Sequence, residues 1–193
     1  MNKKIGLFFG SFNPVHVGHL IIAEFMVEHT DLKELWFVVS PCNPLKKKQS
    51  LLPERQRLYM VNLAIEDDPR FRASDIEFKL PQPSYTVNTL LHLQEKYPDK
   101  EFCLIMGEDN LECIEKWYNY QFILDNYSIY VYPRGNNNTE DKLILPRITR
   151  VNAPLMGISA TMIRENIKNG HSVKYLMPEK VAKFVDEMSF FKN

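Results

Sequence analysis

The chain has 193 residues, enough for one domain with a substantial core. Apolar residues make up 45% and charged residues 25%, an ordinary globular balance that excludes fibrous and low-complexity classes. Twenty-four basic residues offset 24 acidic ones, so the basic excess of a typical nucleic-acid binder is missing.

The run from Lys4 to Phe9 predicts a buried strand, and His19 to Glu28 a helix that is apolar almost all round. Glu34 to Ser40 reads as a second strand. Pro53 to Glu66 reads as a helix, with proline suited to its first turn. Arg72 to Phe78 suggests a short third strand. Thr86 to Tyr97 is a helix that stops before Pro98, because the residue ahead of a proline disfavours helical geometry. Phe102 to Met106 and Ser128 to Tyr132 complete the strands. Ser159 to Asn169 and Pro178 to Met188 are two further helices, expected to form a small C-terminal helical part over about 155–193. Pro41 to Leu52, with Lys46, Lys47 and Lys48, and Arg134 to Lys142 read as loops.

Short strands alternating with longer helices indicate βαβ units and a parallel sheet. The expectation is a single α/β domain over 1–193, doubly wound and Rossmann-like, with ligands at the carboxyl ends of its strands. Three cysteines without a CxxC suggest reduced thiols. The N-terminal lysines precede an apolar run too short for a signal peptide, and no apolar segment reaches the ~20 residues of a bilayer span. A cytoplasmic protein is expected, with neither a membrane nor a nucleic acid as partner. A homo-oligomer is compatible with the chain.

The segment Gly10 to Leu20, GSFNPVHVGHL, lies where the first strand gives way to the first helix. It has three readings. One is a plain strand-to-helix turn with incidental histidines. Another is a metal site on His16 and His19, which lacks the third and fourth ligands at useful spacing. The third is an anion site. The first βα turn aims a helix N-terminus at the crevice, where unpaired N–H groups attract phosphate. Gly10 and Gly18 then allow a ligand close to the backbone. The segment is neither GxGxxG nor GxxxxGK[ST], so the phosphate is not held as in a dehydrogenase or P-loop enzyme. The anion reading leads.

GSFNPVHVGHL also resembles the (T/H)xGH signature of the nucleotidyltransferase superfamily. Ile158 to Arg164, ISATMIR, is similar to that superfamily's ISSTxIR motif, about 140 residues later. Between them, Pro83-Ser84-Tyr85-Thr86, Gly107-Glu108-Asp109, Lys116-Trp117-Tyr118 and Val131-Tyr132-Pro133-Arg134 resemble the nicotinate mononucleotide adenylyltransferases, in order and across nearly the whole chain.

That resemblance implies adenylyl transfer from ATP to nicotinate mononucleotide, with release of pyrophosphate and Mg²⁺ carried by ATP. It implies that His16 and His19 donate to the α-phosphate and that Arg164, with Ser159 and Ile158, holds the leaving phosphates. Gly10, Ser11, Phe12, Gly107 and Asp109 complete the ATP side, with Asp109 on the ribose hydroxyls. On the other substrate, Trp117 stacks on the pyridinium and backbone N–H groups of Thr86 and Tyr118 hold the carboxylate. Lys46, or Lys47 if the loop register differs, meets the mononucleotide phosphate, and Arg134 also belongs to the mononucleotide side. No metal ligand is assigned to the protein itself. The chain departs from the pattern at Asn13, where the family has Asp, and at Pro44-Leu45-Lys46, where a histidine is absent. Phosphopantetheine adenylyltransferase is the nearest rival. A non-catalytic nucleotide sensor and a zinc hydrolase stand further off.

Overall fold

The structure is a computed structural model that describes residues 3–41, 51–135 and 145–192. Its strands are β1 (Lys3–Gly10), β2 (Glu34–Val39), β3 (Phe71–Ser74), β4 (Lys100–Gly107), β5 (Ser128–Tyr132) and β6 (Ile148–Arg150). All pair in parallel in the order β3-β2-β1-β4-β5-β6. This is a doubly wound order whose reversal lies between β1 and β4, and the crevice outside their carboxyl ends is where such sheets bind ligands.

The helices are α1 (Val17–His29), α2 (Glu54–Ile65), α3 (Thr86–Lys96), α4 (Glu108–Leu111), α5 (Tyr120–Asn126), α6 (Ala160–Lys168) and α7 (Glu179–Glu187). The period of two along each strand sorts side chains onto two faces. Leu35, Phe37, Cys103, Ile105 and Tyr130 face one core layer, which α1, α2, α6 and α7 cover through Ile22, Met26, Met60, Val61, Ile163 and Val181. Ile5, Leu7, Trp36, Val38, Leu104 and Val131 face the other, closed by Val87, Leu90 and Leu93 of α3 and Ile123 of α5. Strands covered on both sides need continuous apolar runs, which is how β1, β2 and β4 read in the sequence.

Two expectations need correction. The third strand ends at Ser74, and Ile76–Lys79 form a 3₁₀ turn instead of continuing it. Burial of Ile76 and Glu77 together, adjacent in sequence, is incompatible with one-sided alternation. β6 was not expected. It has three residues with only Ile148 partly buried, so it carries almost no apolar signal. Pro53 is the N-cap of α2, one position ahead of the first turn. Cys103 and Cys113 are free thiols, and Cys42 lies outside the described residues. Among the described residues no helix is long and apolar enough to cross a membrane.

Candidate active site

Gly10 ends β1, and the following turn reverses through Phe12 at φ 46° and a cis Asn13–Pro14 peptide before α1 begins. Phe12 is buried, and its ring lies so close to Gly10 that a Cβ there would meet it at 2.8 Å. A Cβ on Gly18 would likewise come within 3.0 Å of the His16 ring. Both glycines therefore leave room for the chain's own rings. The α1 N-terminus is also less open than expected. Val17 N–H donates to Leu176 O at 3.0 Å and His19 N–H to His16 O at 2.9 Å.

The two histidines stack, with ring centroids 3.7 Å apart and planes 27° from parallel. His19 Nδ1 accepts from the His16 backbone N–H at 3.2 Å, so Nε2 carries the proton of the neutral ring. Phe8 and Phe12 meet the His19 ring edge-on, at 5.9 and 5.1 Å. The helix start thus fixes the tautomer of His19. His16 is 5% exposed, and its buried Nδ1 has no hydrogen-bond partner among the described residues. Burial, reinforced by the Arg134 charge, pushes its pKa down to about 4, so the ring is neutral at pH 7.

The second signature segment closes on the first. Ser159 caps α6, its hydroxyl accepting from Met162 N–H at 3.2 Å. Ile158 packs against the core beneath. One turn on, Arg164 donates from Nη1 to Asn13 O at 2.8 Å and from Nη2 to Thr161 Oγ1 at 3.2 Å. Burial lowers its pKa below the ordinary arginine value, yet a guanidinium stays charged. Asn13 itself is buried and takes Leu52 N–H on Oδ1 at 3.2 Å, a structural use that needs no acid.

At the end of β4, a Cβ on Gly107 would lie 2.5 Å from Asp109 Oδ1 and 3.1 Å from Arg134 Nε. Those two side chains fold over the glycine and face each other, Nη1 to Oδ2, at 3.7 Å. Arg134 also donates from Nη2 to Tyr132 Oη at 3.2 Å. This guanidinium is within electrostatic reach of His16 as well as of Asp109.

On the opposite side, Thr86 opens α3 and Tyr118 follows a 3₁₀ turn at Ile114–Lys116. Tyr85 and Tyr118 bring these segments together, with ring centroids 4.8 Å apart. Trp117 is partly buried and packs on the core layer behind α3 and α5, so it is a wall shared with the core. Lys46 and Lys47 lie outside the described residues.

The sequence reading missed Arg57 and Glu77, both buried. The signal was present. Arg57 shares the inward face of α2 with Met60, Val61 and Ile65, a position where a charge is out of place unless several acceptors meet it. Among the described residues no group of three or more His, Cys, Asp or Glu side chains could hold a metal ion. The centre is a set of donors and cations at the strand ends, which suits a polyanion.

Comparison with known proteins agrees. The cytidylyltransferase-like family model matches residues 7–166. A probable nicotinate-nucleotide adenylyltransferase of Flavobacterium psychrophilum is 58% identical over 98% of this chain and 100% of its own length. A second, from Flavobacterium johnsoniae, is 56% identical with the same coverage. The Plasmodium falciparum nicotinic acid mononucleotide adenylyltransferase, solved in complex with NaAD, is 18% identical but superposes with a TM-score of 0.80 over 98% of each chain, which speaks for the fold. The chain belongs to the cytidylyltransferase-like family, among its nicotinate-nucleotide adenylyltransferases.

Proposed function

We propose that the chain is a cytoplasmic enzyme, acting as one catalytic unit, that transfers the adenylyl group of ATP to nicotinate mononucleotide. The products are nicotinate adenine dinucleotide and pyrophosphate. The observation that carries this reading is the Arg164–Asn13 hydrogen bond, which brings the two signature segments to one place at the sheet's switch point.

A phosphate oxygen of the mononucleotide attacks the α-phosphorus of ATP. One P–O bond forms, the bond to the β-phosphate oxygen breaks, and pyrophosphate leaves with the electron pair. The nucleophile is already anionic at pH 7, so the step needs no general base. Rate then depends on alignment and on charge stabilisation. His19, held by its Nδ1, offers Nε2–H to the α-phosphate. His16 is neutral beside it and offers its single N–H to the same phosphate. Arg164 meets the departing phosphates while its second face stays fastened to Asn13. Gly10, Ser11 and Phe12 shape the turn, Ile158 and Ser159 the α6 start, and Gly107 with Asp109 the ribose side.

Thr86, Trp117 and Tyr118 form the nicotinate side, where fixed N–H donors suit a carboxylate. Arg134 bridges the halves, near the mononucleotide phosphate and Asp109. Lys46 is assigned to the same phosphate. The protein's own donor set fits an anion, and Mg²⁺ carried in with ATP would neutralise part of the polyphosphate charge. The test is pyrophosphate release from ATP and Mg²⁺ with nicotinate mononucleotide, nicotinamide mononucleotide or phosphopantetheine. Release with the first well above the other two is expected. Release with phosphopantetheine alone overturns the assignment.

A further inference from the structure

Arg57 and Glu77 are buried to 0% and 2% exposure, depths at which charges persist only where hydrogen bonds surround them. Arg57 reaches from α2 beneath the carboxyl ends of the strands. Its Nε donates to Leu52 O at 2.8 Å, Nη1 to Ser11 O at 2.7 Å and Ser40 O at 2.8 Å, and Nη2 to Pro41 O at 3.0 Å. Glu77 lies in the 3₁₀ turn after β3. Its carboxylate accepts from Thr89 Oγ1 at 2.8 Å, from Ser84 Oγ at 3.2 Å and from the Ser40 hydroxyl.

Ser40 is therefore shared. Its carbonyl is bound by Arg57, its hydroxyl by Glu77, and its N–H donates to Gly10 O at 2.9 Å. Gly10 and Ser11 shape the turn that carries the histidines. Ser84 and Thr89 bracket Thr86, whose N–H faces the other substrate in the reading above. The two half-sites thus meet through one small side chain.

We propose that Ser40, gripped by Arg57 on one side and Glu77 on the other, is a positioning residue that holds the ATP-side turn and the nicotinate-side helix start in fixed register. The inference rests on the adenylyl-transfer reading. A displacement of about 1 Å between reacting groups costs on the order of 10²-fold in rate, so such a brace matters without touching substrate. Ser40→Ala deletes the hydroxyl link and keeps both backbone links. Ser40→Thr keeps a hydroxyl.

The experiment is steady-state kinetics with ATP, Mg²⁺ and nicotinate mononucleotide, with a thermal melt of each variant. Ser40→Ala is expected to stay folded, to raise the KM for nicotinate mononucleotide about tenfold and to leave that for ATP within about twofold, since the lost bond is to a charged group on the nicotinate side. Its kcat falls, and Ser40→Thr restores both values. Arg57→Lys, which cannot reach all four carbonyls, shifts the KM for ATP instead. Should that variant not fold, the Ser40 pair decides alone. Wild-type kinetics in Ser40→Ala with only a lowered Tm overturn the inference and leave the adenylyl-transfer reading standing. No turnover by the wild type under these conditions overturns both.

Discussion

Arg164 donates to the backbone carbonyl of Asn13 at 2.8 Å, joining residues 151 positions apart in the chain. One guanidinium edge is spent on protein, so the direction of the remaining donors is set before any nucleotide arrives. Preorganisation of this kind reduces the entropy that binding would otherwise cost.

Replacing Arg164 tests that geometry. Arg164→Ala should lower kcat/KM for ATP about 10–100-fold, the loss expected for hydrogen bonds to a charged group. Arg164→Lys should recover only part, because lysine cannot serve Asn13, Thr161 and a phosphate together. Affinity for nicotinate mononucleotide should change little. Calorimetry that found ATP affinity untouched in the alanine variant would return Arg164 to a purely structural place.

The proposed mechanism gives His19 two tasks, and they separate by readout. Loss of a preorganised donor costs on the order of 10²–10³ in kcat, and His19→Ala should show it. Loss of the bond from His16 N–H should cost about 1 kcal/mol of helix capping, which lowers Tm by roughly 2–4 °C in a chain of this size. A folded variant with near-normal kcat would contradict the role of Nε2–H.

Much of this was legible in the sequence for identifiable reasons. β1, β2 and β4 are buried on both faces, so they appear as unbroken apolar runs. His16, His19 and Ser159 fall at helix starts, where a motif keeps fixed spacing. The rest was hidden by long-range contacts. No local pattern shows that Phe12 fills the space above Gly10, or that Leu176 takes the Val17 N–H. β6 is too short and exposed to leave a period. Arg57 looks like any helical arginine until its face is compared with Met60 and Ile65.

Choice between acid and amide substrates should follow the donors and not the stacking ring. An amide leaves a donor unpaired at a cost of about 1–3 kcal/mol, so a roughly tenfold to hundredfold preference for nicotinate mononucleotide in kcat/KM is expected. Trp117 packs on the core as well, so Trp117→Ala should lower Tm and weaken both mononucleotides while keeping their ratio. Equal rates with acid and amide in the wild type would contradict the pocket.

The buried His16 makes an acid limb. Its folded pKa of about 4 lies below the ordinary 6.5, so the unfolded chain binds the proton first as pH falls. Stability is therefore lost between about pH 6.5 and 4, by up to about 3 kcal/mol from this group, and levels off below. Urea midpoints at pH 7 and 4.5 should move further apart in the wild type than in His16→Gln, which cannot charge. Equal displacement in the two proteins would show that His16 does not set the limb.

The central claim is that the α-phosphate of ATP moves to the mononucleotide. ATP labelled at the α-phosphate in one reaction and at the γ-phosphate in another, each with Mg²⁺ and nicotinate mononucleotide, follows both halves of the molecule. Transfer predicts α-label in nicotinate adenine dinucleotide and γ-label in pyrophosphate, in equal amounts. Label appearing as AMP or orthophosphate, or remaining in ATP while the protein binds it, would contradict adenylyl transfer and leave a hydrolase or a nucleotide sensor.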